Sequence, residues 1–140
     1  MANYFLAKSD PDSYSIDDFE REVETNWDGV HNYAAIKVIK SWKIGDLVLI
    51  YHSQGENSIV GISKVTSSPI KDKDDPRGIS WCARLKLIRK YPTSKRISLK
   101  EIKASGLFPD FALVRQSRLS TMACPDSFIE WLKQKGVNIA

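Results

Sequence analysis

At Gly45 the spacing of apolar residues changes from helical to extended, and that change restricts the chain to a mixed fold. Before it, Ala35, Val38, Ile39 and Trp42 lie on one face of an amphipathic helix, with Lys37, Lys40 and Ser41 on the other side. Gly45 is expected to end that helix through a positive φ. After it, Leu47 to Tyr51 and Ile59 to Val65 are β-rich apolar runs, joined by a hairpin loop from Gln54 to Ser58 that contains Gly55. Trp81, Ala83, Leu85 and Leu87 alternate with Cys82, Arg84 and Lys86, the pattern of a half-buried strand with one basic face.

The flanks add shorter elements. Asn3 to Lys8 reads as a first strand, stopped by the turn-forming Ser9-Asp10-Pro11-Asp12. Ser15 and Asp18 resemble a capping box, and Ile16, Phe19 and Val23 predict a short acidic helix from Ile16 to about Glu24. Trp27-Asp28-Gly29 marks a turn, and Ser67 to Ser80, rich in Lys, Asp, Pro and Gly, reads as a mobile loop. Ser98 with Glu101 opens a helix to about Ala104. Phe108 to Val114 is a further apolar stretch, and Arg118-Leu119-Ser120 enters a late strand. Pro125, then Phe128, Ile129, Trp131 and Leu132, predicts a terminal helix. The expectation is one α+β domain over residues 1–140. Its mainly antiparallel sheet, of about five or six strands with short flanking helices, would curl into a small barrel because closure removes exposed edges.

Composition narrows the function classes. Hydrophobic residues make up 42% of the 140 positions and charged ones 27%, a globular balance. The longest apolar run, Leu47 to Tyr51, is far short of the roughly 20 residues of a membrane helix. Met1 to Phe5 lacks the basic and apolar regions of a secretory signal. Cys82 and Cys124 belong to no CxxC pair, so no zinc or other metal site is expected, and a reducing compartment is: cytoplasm, or the nucleus in a eukaryote. The net charge of +4 permits a polyanionic partner without demanding one. It is unevenly spread, with an acidic cluster from Asp10 to Glu24 and basic groups at Lys37, Lys40, Lys43 and from Arg84 to Arg96.

Catalytic patterns are missing. HExxH, GxSxG and GxxxxGK[ST] do not occur. His52 and Ser53 are adjacent on a strand, where neighbouring side chains take opposite faces, so they do not form a nucleophile and base. No catalytic residue and no cofactor is expected.

Polar groups gather instead where strand and helix ends converge: Lys8-Ser9, Trp27 to Tyr33, Tyr51-His52-Ser53 and Arg118-Leu119-Ser120. Each has a plainer alternative. Lys8 and Ser9 could simply close a strand, Trp27, Tyr33 and Trp42 could be core rings, and Asn32 could be only a helix cap. His52 suits a hydrogen-bonded sheet histidine better than a ligand group, and Arg118 could merely brace the sheet.

Taken in order, Lys8-Ser9-Asp10-Pro11, Trp27-Asp28-Gly29-Val30-His31-Asn32-Tyr33-Ala34-Ala35, Gly45-Asp46 with Tyr51-His52-Ser53, Ile59-Val60-Gly61-Ile62 and Arg118-Leu119-Ser120 resemble the EVE domain family. The resemblance runs from about Tyr4 to Leu132. His31 stands where many relatives have Arg, and Asp10 where many have Glu. The resemblance implies a PUA-like pseudobarrel related to YTH domains, and a monomeric binding domain for DNA or RNA carrying modified bases. In that reading Trp27, Asn32, Tyr33, Trp42, Ser53 and Ser9 contact a flipped base, modified cytosine or methylated adenine. Lys8, His31, Arg118 and Ser120 contact phosphate or base. Two alternatives use the same residues differently: a pocket for a small molecule or free modified nucleotide, and a protein-interaction module.

Overall fold

A computed structural model describes residues 3–139; Met1 and Ala2, part of the segment read for a signal, lie outside them. The described residues form an α+β fold around one curled sheet. Its strands are β1 (Tyr4–Ser9), β2 (Glu24–Trp27), β3 (Leu47–His52), β4 (Ser58–Val65), β5 (Ile70–Lys71), β6 (Trp81–Lys90), β7 (Ile97–Ser98) and β8 (Thr121–Ala123). The helices are α1 (Ile16–Glu22), α2 (Tyr33–Lys40), α3 (Leu99–Ser105), α4 (Ala112–Arg115) and α5 (Asp126–Gln134).

The sheet runs β2-β6-β4-β3-β1-β8, with β5 added to β6 and β7 to β4. It curls without closing, since β2 and β8 remain its two ends. Helix α2 packs against both β6 and β8 and covers part of that open side. All pairings are antiparallel except β1 with β3, which sets Lys8 opposite Tyr51 and Ser9 opposite His52. The eight strands exceed the expected number because β5, β7 and β8 have only two or three residues each.

Burial follows the patterning. Every residue of β3 is buried, as the continuous apolar run requires. Ala35, Ile36 and Ile39 of α2 face the core; truncating a buried isoleucine such as Ile39 to alanine costs about 2–5 kcal/mol. In the C-terminal segment Phe108, Phe111, Phe128 and Trp131 pack as an aromatic cluster. Gly61 cannot carry a Cβ without meeting Ile16 Cδ1 at 2.8 Å and the Arg89 carbonyl at 2.9 Å, so α1 can lie close on β4.

Three local expectations are corrected. Helix α2 ends at Lys40, before Gly45, whose φ of +97° serves the turn into β3 instead. The segment after α1 is a strand, β2, that continues to Trp27. The Ser67 to Ser80 loop is tied down: the Asp75 carboxylate accepts N–H bonds from Arg77, Ile79 and Ser80. Burial opposes the charge on Asp75, but these bonds prevail and hold its pKa below the ordinary value.

Candidate nucleic-acid interface

Three stretches distant in sequence meet at a cleft of about 890 Å³. The end of β1 gives Lys8 and Ser9, the turn after β2 gives Trp27 to Asn32, and the lead into β8 gives Arg118 and Ser120. Backbone pairing brings two of these together, since the Lys8 N–H donates to the Ser120 carbonyl at 2.8 Å. Gly29 turns the third with a φ of +71°, a conformation side-chain-bearing residues avoid.

Trp27 is 8% exposed and contributes to the cleft wall while packing on Phe19 and Tyr14. The Tyr14 ring meets Trp27 edge-on at 6.3 Å, and its hydroxyl donates to Glu22 Oε1 at 2.5 Å. Burial first, and then Glu22, push the Tyr14 phenol up to about 12, so it stays protonated as a donor at neutral pH.

Asn32 does two jobs. Its Oδ1 caps α2, accepting from Ala34 N–H at 2.8 Å and Ala35 N–H at 3.2 Å. That commits the acceptor and leaves the Nδ2 amide as the group available to a ligand. Ser9 Oγ is similarly engaged, donating to the Tyr14 carbonyl at 2.5 Å. The Lys8 ammonium donates to the Ser117 carbonyl at 3.0 Å and lies 5.8 Å from the centre of the Tyr51 ring; burial lowers its pKa.

The fixed Asp75 loop braces the wall. Ser80 Oγ donates to the Val30 carbonyl at 2.7 Å, and Arg77 Nη1 to the His31 carbonyl at 3.0 Å. Arg77 Nη2 also lies 3.2 Å from His31 Nδ1. A guanidinium only donates, so in this contact the ring nitrogen is the accepting partner.

Trp42, expected as a base platform, is 2% exposed and packs against Phe5 at 6.1 Å in the core. It lies outside the cleft lining, because the turn after α2 that carries it packs the ring into the core. Tyr33 is 74% exposed and also absent from that lining, although its neighbour Asn32 belongs to it. Ser53 is separate too; its Oγ donates weakly to the Ser9 carbonyl at 3.4 Å. His52 is the expected sheet histidine, its Nε2 accepting from Ile16 N–H at 3.0 Å. The sequence reading gave no role to Tyr14, Asn26 and Asp28, and it gave Arg84 a place on a basic strand face outside the pocket, yet all four line the cleft. Asp28 stands directly beside Trp27 in the quoted motif, a signal that could have found it. Burial, reinforced by Asp72, raises its carboxyl pKa.

Among the described residues no group of three His, Cys, Asp or Glu side chains could hold a metal ion. No described helix is long and apolar enough to cross a membrane.

The fold and sequence have relatives. Rat thymocyte nuclear protein 1 is 33% identical over 93 residues, covering 54% of this chain and 41% of the rat protein, so the match spans under half of that relative. A Rhodopseudomonas palustris protein solved by NMR superposes with a TM-score of 0.86 at 28% identity, covering 96% of this chain and 93% of that one. Human THYN1, solved in complex with 5-methylcytosine-containing DNA, superposes at 0.83 with 22% identity, covering 99% and 100% of the two chains. The MmI1 YTH domain shares the fold at a TM-score of 0.57 and 14% identity, over 96% of this chain and 99% of that domain. The EVE domain profile matches residues 3–135, nearly the whole length, and the chain belongs to the EVE domain family.

Proposed function

We propose that this chain, as a single monomeric domain, binds DNA or RNA by taking one flipped, modified base into the 890 Å³ cleft. The observation that carries the reading is the meeting of Trp27, Asn32, Lys8 and Arg118 around one concavity. Extracting a base costs a few kcal/mol, which aromatic contact and new hydrogen bonds must offset. An aromatic contact contributes about 1–3 kcal/mol per base.

The polar groups suit cytosine. Its N4 amine is a donor, which the Asp28 carboxylate accepts; its N3 and O2 are acceptors, which Asn32 Nδ2 and a cation serve. Lys8, His31, Arg118 and Ser120 complete the contacts to phosphate or base. The 5-methylcytosine DNA bound by human THYN1 supports a modified pyrimidine as the occupant. Recognition of the extra methyl group is worth about 1–3 kcal/mol.

A second reading, a free modified nucleoside as the ligand, is favoured by the cleft volume, which lies in the range of about 300–1,000 Å³ used by small-molecule sites. The test is fluorescence anisotropy with single- and double-stranded oligonucleotides carrying one 5-methylcytosine, cytosine or N6-methyladenine, competed by 5-methyl-2′-deoxycytidine. Strand binding that prefers the methylated base supports the first reading. Nucleoside binding without strand binding supports the second, and equal affinity for every strand refutes base recognition.

A further inference from the structure

A second concavity of about 310 Å³ adjoins the cleft, between Asn32 and Ala34 on one side and the Arg115 to Leu119 turn on the other. Resting on the cleft reading, we propose that this groove seats a phosphodiester of the strand, next to the nucleotide whose base enters the cleft.

Three observations carry it. First, groove and cleft are continuous: Asn32 and Arg118 line both, and cleft residue Lys8 donates to the carbonyl of Ser117 in the groove. A base held in the cleft therefore leaves its backbone at this junction. Second, the polarity differs between the two. The cleft wall includes Asp10, Glu22, Glu24 and Asp28, whereas no carboxylate lines the groove. The groove instead offers two guanidinium groups, the Gln116 amide and the Ser117 hydroxyl, a donor set matched to phosphate oxygens.

Third, those guanidinium groups are available. Arg118 makes no ion pair among the described residues. Arg115 pairs only with Asp110 at 3.3 Å, with both side chains well exposed, an interaction water weakens and a phosphate can displace. The turn itself is held. Gln116 N–H donates to the Ala112 carbonyl at 2.7 Å, Leu119 N–H donates to the Gln116 carbonyl at 3.0 Å, and Leu119 is buried beneath it.

The experiment uses DNA strands with one 5-methylcytosine and a neutral methylphosphonate placed either 5′ or 3′ of it. One of the two substitutions should weaken binding about tenfold, the effect of losing one charge-assisted contact. Arg115→Ala should weaken the all-phosphate strand by a similar factor and lower the slope of log Kd against log salt by about 0.7. In that variant the same methylphosphonate should cost clearly less than it does in the parent protein, because one of the two guanidinium partners is already gone. Arg115→Lys, which keeps the charge, should restore most of the salt slope. Methylphosphonates without effect, or losses that multiply independently in the variant, would overturn the groove proposal. A strand bound equally with cytosine and 5-methylcytosine would instead overturn the cleft reading, and the salt slope of Arg115→Ala, which needs no fixed register, then decides whether the groove holds phosphate.

Discussion

Asn32 offers a separation of stability from recognition, because its two ends have different tasks. The Oδ1 holds the first turn of α2 through Ala34 and Ala35 N–H. Asn32→Ala removes that cap at a cost of about 1 kcal/mol. A domain stable by about 5–15 kcal/mol remains folded after such a loss. Asn32→Ala also removes the Nδ2 donors, and an unsatisfied acceptor on the bound base costs about 1–3 kcal/mol, roughly 5- to 150-fold in affinity. Asn32→Ser keeps a capping oxygen but has no amide. Urea denaturation should therefore place Asn32→Ser near the parent and Asn32→Ala about 1 kcal/mol below it. Anisotropy with a 5-methylcytosine strand should find both variants weak. Parental affinity in Asn32→Ser would refute the role given to the amide.

Other perturbations test the supports of the cleft. Asp75→Ala should release the N–H groups of Ile79 and Ser80, raising their hydrogen-exchange rates and weakening strand binding through Val30 and His31; unchanged exchange would refute the brace. Burial lowers the pKa of His52 below its ordinary 6.5, against the pull of Glu56. The unfolded chain therefore protonates at higher pH than the folded one, so stability is complete above about pH 7 and falls as pH drops through the unfolded value. His52→Gln should flatten that part of the stability profile, and an unaltered slope would contradict the assignment. Val23 adopts a φ of +68° at the end of α1, a strained conformation for a β-branched residue. Val23→Gly should raise stability by roughly 1 kcal/mol after glycine's entropic cost, and a lower urea midpoint would refute the strain.

What could be read from the sequence followed from local physics. The run Leu47 to Tyr51 announced a buried strand, and Ser15 with Asp18 announced the reciprocal cap that α1 forms. The RLS tripeptide and the 27–35 motif, by contrast, pointed to a binding site only through the family resemblance; their own chemistry allowed a strand brace and a helix cap equally well. Other features depend on contacts far apart in the chain. Trp42 follows the helical spacing of α2 in sequence but lies in the turn beyond its end, where packing against Phe5 turns the ring inward. Strand β2 has no alternating apolar signal; pairing with β6 makes it a strand. The Ser67 to Ser80 composition suggests mobility, but one carboxylate gathers its N–H groups. Tyr14 and Asn26 reach the cleft from segments that carry no binding signature of their own.

The most direct measurement is NMR on the complex with a strand whose single 5-methylcytosine carries a ¹³C-labelled methyl group. Nuclear Overhauser contacts should link that methyl to the Trp27 ring, with shifts at the Asn32 side-chain amide. A bound strand whose methyl touches neither residue, with shifts confined to surface lysines, would contradict insertion of the base.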